Sequence, residues 1–202
     1  MALRIKNQWF DSGRPKSARE TASVVAFITW RVTQNMVKQM RQAQFDIDVG
    51  PQYFAFMREI LGFLLQVVDR MAYERMEPEQ RAEFTGALVR RSAEILEESE
   101  LEWLGPPPDG TDTWRNQFID FCNELGEAYA DFGHGPDGPD FGFVRYLGSR
   151  VENVLPEKDR HWVKDHLMAY EVPEALEMVR RGMNGALSTE PRPKRRTAMS
   201  GD

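Results

Sequence analysis

Glu59 stands inside the most apolar stretch of the chain. Residues 51–76 read PQYFAFMREILGFLLQVVDRMAYERM, and twelve of the sixteen residues from Tyr53 to Val68 are apolar. At about 100° per residue the polar side chains Glu59, Gln66, Arg70 and Tyr73 fall on one arc of a helix, and Phe56 and Phe63 lie seven apart on its border. A carboxyl held among phenyl rings loses hydration, which raises its pKa toward the range of a working acid or base. The chemistry suggested is therefore an apolar ligand pocket with one desolvated acid. Its walls would come from the second and fourth helices, with Phe56, Glu59, Phe63 and Gln66 as ligand-binding residues.

Other combinations point to less. His161 and His166 are five apart, about 140° around a helix, which suits shared ligation poorly. Glu157 and His161 are four apart and could ligate together, but no Glu-x-x-His occurs, and di-iron bundle sites need one from each of two helices. No metal and no cofactor are expected. His134, Asp137 and Asp140 sit in the Gly- and Asp-rich stretch 131–140, which has neither EF-hand spacing nor its closing Glu. Gly and Asp are also what turns use. Cys122 is the only cysteine; on the apolar face of a helix its thiol should be raised in pKa and inert. There is no Gly-x-Ser-x-Gly and no phosphate loop, so no catalytic residue is assigned.

These side chains must be positioned by helices. Ser17 with Glu20 forms a capping box, and a helix follows to about Phe45, with Val25, Ile28, Val32, Met36 and Met40 inward and Val24, Phe27, Trp30 and Val37 widening that face. Pro51 opens the second helix; its apolar residues cover about 220°, so it should be packed on more than one side. A third, from Pro78 to about Leu104, crowds Glu94, Glu97, Glu98, Glu100 and Glu102 into its second half. That opposes the helix dipole, so fraying is expected, with Trp103 and Leu104 tucking back. After Gly105-Pro-Pro-Pro-Asp-Gly110, a fourth helix carries Trp114, Phe118, Phe121, Cys122, Leu125, Tyr129 and Phe132 at steps of three and four. Residues 133–140 read as an irregular loop, with no convincing strand pair in the chain. A fifth helix uses Phe143, Tyr146, Leu147, Val151, Val154 and Leu155. A sixth begins at Pro156 with Trp162, Val163, Leu167 and Tyr170. A short seventh begins at Pro173.

The expected fold is all-α: a bundle of about six to seven helices over residues 17–187, with an N-terminal arm at 1–16 and a disordered basic tail at 188–202. Helices one, two and four should form the core and helices five to seven a C-terminal cap. Length and helix count are similar to those of tetracycline-repressor-type factors, but those open with short, basic helices. Here the first helices are long and apolar, and no family is assigned.

Net charge is −6, and the last fifteen residues hold four basic and two acidic side chains, leaving −8 on the body. An acidic body argues against nucleic acid as a partner. Arg58 and Glu59 interrupt the densest apolar run, so no membrane span is expected. The start MALRIKNQWF has no apolar core of a signal peptide, and the expected compartment is the cytoplasm. Five Trp, twelve Phe and ten Met without a catalytic constellation point to a non-enzymatic helical interaction protein: an adaptor, an assembly factor or a self-associating subunit. The alternative is a small-molecule binder or enzyme using the Glu59 pocket.

Overall fold

The computed structural model describes residues 16–48 and 50–188. The arm expected at 1–16, apart from Lys16, and the tail expected at 188–202, apart from Ser188, lie outside the described residues. The fold is an all-α bundle, in order α1 (Ala18–Gln42), α2 (Pro51–Tyr73), α3 (Pro78–Leu104), α4 (Trp114–Tyr129), a β-hairpin of β1 (His134–Gly135) and β2 (Gly138–Pro139), α5 (Phe141–Val154), α6 (Glu157–His166), a π-helix (Leu167–Glu171) and α7 (Val172–Leu187). Among the described residues no helix is long and apolar enough to cross a membrane.

Local signals set the helix starts. The Ser17 hydroxyl accepts from the Glu20 N–H at 3.2 Å, and the Ser17 N–H donates back to the Glu20 carboxylate at 2.9 Å. This satisfies two of the N–H groups a helix start leaves open. Pro51 follows Gly50, whose φ of +155° is a conformation side chains rarely adopt. Thr113 caps α4 through the Asn116 N–H, and Asp140 caps α5 through the Phe143 N–H.

Helix α2 lies at the centre. It touches α1, α3, α4, α5 and α7, which is why its apolar arc had to be so wide. Phe56, Met57, Ile60, Leu61, Phe63 and Leu64 are fully buried. The outer arrangement differs from the expected one: α1 packs chiefly on α3 and α7 rather than on α4. Small residues permit the close approaches. Ala22 and Ala26 of α1 are fully buried, and a Cβ on Gly182 of α7 would stand 2.7 Å from Ile28 of α1.

Several expectations are corrected. Helix α3 stays helical to Leu104 with Trp103 61% exposed. Its acidic half is not all on the surface, because Glu100 turns fully inward to meet Arg58 of α2 at 2.8 Å. Residues 133–140 contain an antiparallel hairpin with His134 opposite Pro139 and Gly135 opposite Gly138. Pro136 and Asp137 form its loop, a pair suited to a tight turn. Finally, Pro173 does not start a separate helix. The backbone runs on from α6 through the π-helix into α7. Proline has no N–H and its ring crowds the carbonyl four residues back, and a wider turn relieves both conflicts. The inserted residue rotates the face: Leu167 and Glu171 are buried while Tyr170 is 67% exposed. Phe27 of α1 is exposed as well, with the Arg31 guanidinium 5.9 Å from its ring.

Candidate functional site

The four residues first suggested for a ligand site are enclosed by neighbouring helices. Glu59 receives two hydrogen bonds from Arg150 of α5, Nε to Oε2 at 2.6 Å and Nη2 to Oε1 at 2.9 Å. That guanidinium also lies 5.3 Å from the Phe121 ring and 5.9 Å from the Tyr146 ring. The Glu59 bonds hold the Arg150 pKa above its ordinary value. Phe63 packs at 5.6 Å from Phe143 and 6.2 Å from Tyr129, and Phe56 is fully buried. The Gln66 side-chain amide donates to the Cys122 carbonyl at 3.3 Å. Arg70 donates to the Tyr129 carbonyl at 3.0 Å. The arc that reads as a pocket lining is thus a polar seam stitching α2 to α4 and α5. Between α2 and α4 the helices meet at Gly62, where an added Cβ would lie 2.4 Å from Leu125 Cδ1 and 3.1 Å from Phe121 Cε1.

A second ion pair of α2 went unrecognised. Arg58 Nε donates to Glu100 Oε1 at 2.8 Å, and the guanidinium lies 5.3 Å from the Trp114 ring. Arg58 Nη2 and Glu100 Oε2 are both buried without a partner. Burial outweighs the arginine and lifts the Glu100 carboxyl above its ordinary 4.5. A carboxyl raised in the fold favours the fold when protonated. That contribution is full below the unfolded pKa and is lost as pH rises through the folded pKa. Glu100→Gln should therefore gain stability relative to the parent as pH rises from 4.5 to neutrality. Urea unfolding of both proteins at the two pH values checks this. A constant difference between them would refute it.

Cys122 is buried, and burial pushes its thiol up to about 12, the direction expected for a thiol on an apolar helix face. Metal ligation gains no support: among the described residues no group of three His, Cys, Asp or Glu could hold an ion.

Open space lies around the β-hairpin. Asp140 fixes this hairpin at its base. Its carboxylate accepts from the Gly133 N–H and the Phe143 N–H, each at 2.8 Å, and its own N–H donates to the Gly133 carbonyl at 2.9 Å. The two side-chain bonds hold the Asp140 carboxyl below the usual range, the Phe143 N–H most of all. Asp140 is thus a structural clamp, and it sets His134 over the end of α2. The His134 side chain is only 6% exposed, and its Nδ1 stands 3.6 Å from Glu74 Oε1. That separation is too long for a hydrogen bond, and Nδ1 is buried without a partner. Burial is the main cause lowering the His134 pKa, so the imidazole is favoured in its neutral form.

Two cavities flank the hairpin. One, of 470 Å³, is enclosed by the end of α2, the hairpin, the π-helix and α7, with His134, Glu74, Arg75, Asp137, Glu177 and Arg180 among its lining. The other, of 660 Å³, is a more open groove between α5 and the α6–π-helix segment, lined by Phe141, Val144, Arg145, Lys164, Asp165 and Met168 among others. Pro139, Val144 and Met168 border both. Of the residues singled out in the sequence, His134 and Asp137 reach the first cavity and Asp140 the second. Glu59, Phe56, Phe63 and Gln66 line neither.

Comparison with protein-family models, with curated proteins and with solved structures found no match for this chain.

Proposed function

We propose that this chain is a non-enzymatic helical interaction protein whose partner surface is the face built by α5, α6 and the π-helix. One observation carries the reading: these elements hold three large exposed aromatic side chains, Phe141 at 69% exposure, Trp162 at 72% and Tyr170 at 67%, and Phe141 lines the 660 Å³ groove. Phe141 is part of the groove wall. Trp162 lies within about 60° of Asp165 on the helix, and Asp165 lines the groove. Tyr170 lies further along the same segment, its ring centroid 5.2 Å from that of His166. Aromatic anchors around a concavity are the common make-up of an interface centre, since they bury much area at little cost in side-chain entropy. Arg145, Lys164 and Asp165 supply a polar rim.

The reading is tested with a photo-crosslinking amino acid placed at Trp162, at Phe141 and, as a control on α1, at Phe27. Irradiation in cells should yield a discrete covalent adduct from the first two positions and not from the third. The adduct is either a second copy or another protein, which mass spectrometry tells apart. No adduct from positions 162 and 141, with a monomer in sedimentation, would dispose of the proposal.

A further inference from the structure

We infer that the occupant of the 660 Å³ groove is a second copy of this chain, docked about a two-fold axis so that Arg145 of each copy meets Asp165 of the other. The inference rests on the partner surface proposed above and names its partner.

The charges of the groove come first. Four charged side chains line it, Asp140 and Asp165 against Arg145 and Lys164, so its walls are neutral on a chain of net charge −6. Two of the four are already satisfied. The Asp140 carboxylate accepts the Gly133 and Phe143 N–H groups. Lys164 Nζ donates to Glu152 Oε2 at 3.0 Å. Arg145 and Asp165 are left. Both are exposed, and neither has a hydrogen bond, ion pair or ring contact among the described residues. They belong to different walls, Arg145 to α5 and Asp165 to α6.

This pattern selects the partner. A two-fold contact pairs one surface with itself, so residue i of one copy meets residue j of the other and j meets i. One unpaired cation and one unpaired anion on the two walls of a groove meet that condition, and a single docking closes both pairs. A uniformly basic or uniformly acidic partner would satisfy one of them and oppose the other. Two copies of an acidic chain repel each other over much of their surface, and a neutral face is where they meet at least cost.

The aromatic side chains follow the same arrangement. Phe141 stands four residues before Arg145 on α5, and Trp162 three residues before Asp165 on α6. Each wall therefore carries an exposed aromatic beside its charge, since residues three or four apart are neighbours on a helix. Val144, Met168 and Ala169 give the groove an apolar lining for an entering ring, and the flexible Met168 side chain adapts to the ring's shape.

The test is sedimentation of the full chain and of charge-swapped variants. The parent should form a dimer. Arg145→Glu and Asp165→Arg should each weaken it at least about tenfold, because each brings like charges together at two symmetric places. The double variant Arg145→Glu/Asp165→Arg should return to within about threefold of the parent, the sign of direct coupling. An equimolar mixture of the two single variants should form a heterodimer, because every pair across it is again opposite in sign. Native mass spectrometry with one variant ¹⁵N-labelled detects it. Both side chains are exposed, so the variants should keep the helical circular dichroism of the parent. A parent that stays monomeric up to about 100 μM, where even a micromolar interface would be filled, overturns the inference. Single swaps without effect, or a double swap and a mixture that fail to restore the dimer, overturn it too. A monomeric parent whose adducts at Trp162 and Phe141 contain a different protein overturns the second copy and leaves the partner surface standing. No adduct from either position removes both.

Discussion

Replacing Arg150 with alanine is expected to destabilise the fold by about 3 kcal/mol, toward the low end of the cost of stranding a buried charge. The reason lies with the partner. Glu59 is 7% exposed and its two oxygens are both bound by Arg150. Without the guanidinium the carboxylate must ionise unpaired in a nearly dry site or take up a proton. Arg150 is itself 31% exposed, so some water reaches the gap and the loss is less than that of a fully buried pair. The ring contacts with Phe121 and Tyr146 go at the same time. The double variant Glu59→Met/Arg150→Met should recover most of the loss, since two apolar chains remove the desolvation cost along with the pairing. Urea unfolding of the parent, both single variants and the double variant measures the coupling. A single-variant loss under about 1 kcal/mol would show the pair to be a surface ion pair in energetic terms.

Gly62→Val is expected to cost about 3 kcal/mol, the upper range for forcing atoms into a packed core. Even alanine would set its Cβ 2.4 Å from Leu125 Cδ1 and 3.1 Å from Phe121 Cε1. Leu125 can swing its terminal methyl aside. Phe121 has less freedom, with the Arg150 guanidinium over its ring and Phe118 stacked at 6.0 Å. For Gly62→Ala the helix-propensity gain of about 1 kcal/mol offsets much of the crowding, and the net change should be small. Valine adds two methyl groups that cannot be placed without moving α4. Leu125→Ala should cost stability alone yet partly rescue Gly62→Val, the sign of coupling expected for two groups competing for one space. If the two losses simply add, the helices do not meet as closely at Gly62 as the structure has them.

Both variants act on the seam that reads as a ligand pocket in the sequence. The wheel places Glu59, Gln66 and Arg70 on one arc, and that placement is right. Their roles follow from residues distant in sequence: Arg150, 91 positions on, and the Cys122 and Tyr129 carbonyls, 56 and 59 positions on. A helix wheel shows which side chains share a face and not what lies opposite. The same blindness hid Glu100, which looks like one more member of an acidic run until Arg58 is set before it. For the hairpin the relation is reversed. His134, Asp137 and Asp140 are visible as an unusual Gly- and Asp-rich group, and the Pro-Asp-Gly turn signal lies within it. Its cavity needs α2 and α7 as walls, and no local pattern announces those.

The sequence by itself determined the helical fold: most of the helix starts, the Ser17 capping box, and the central place of α2. These depend on interactions within about four residues and on apolar period, both carried by neighbouring letters. Only the tertiary structure decided which charges are paired, where space is left, and which aromatics face outward. Trp162 and Tyr170 belong to the same apolar series as Val163 and Leu167, yet stand exposed while Val163 and Leu167 are buried. Burial is settled by what packs on a face, and electrostatic pairing by distances across the fold. Neither can be read from local spacing.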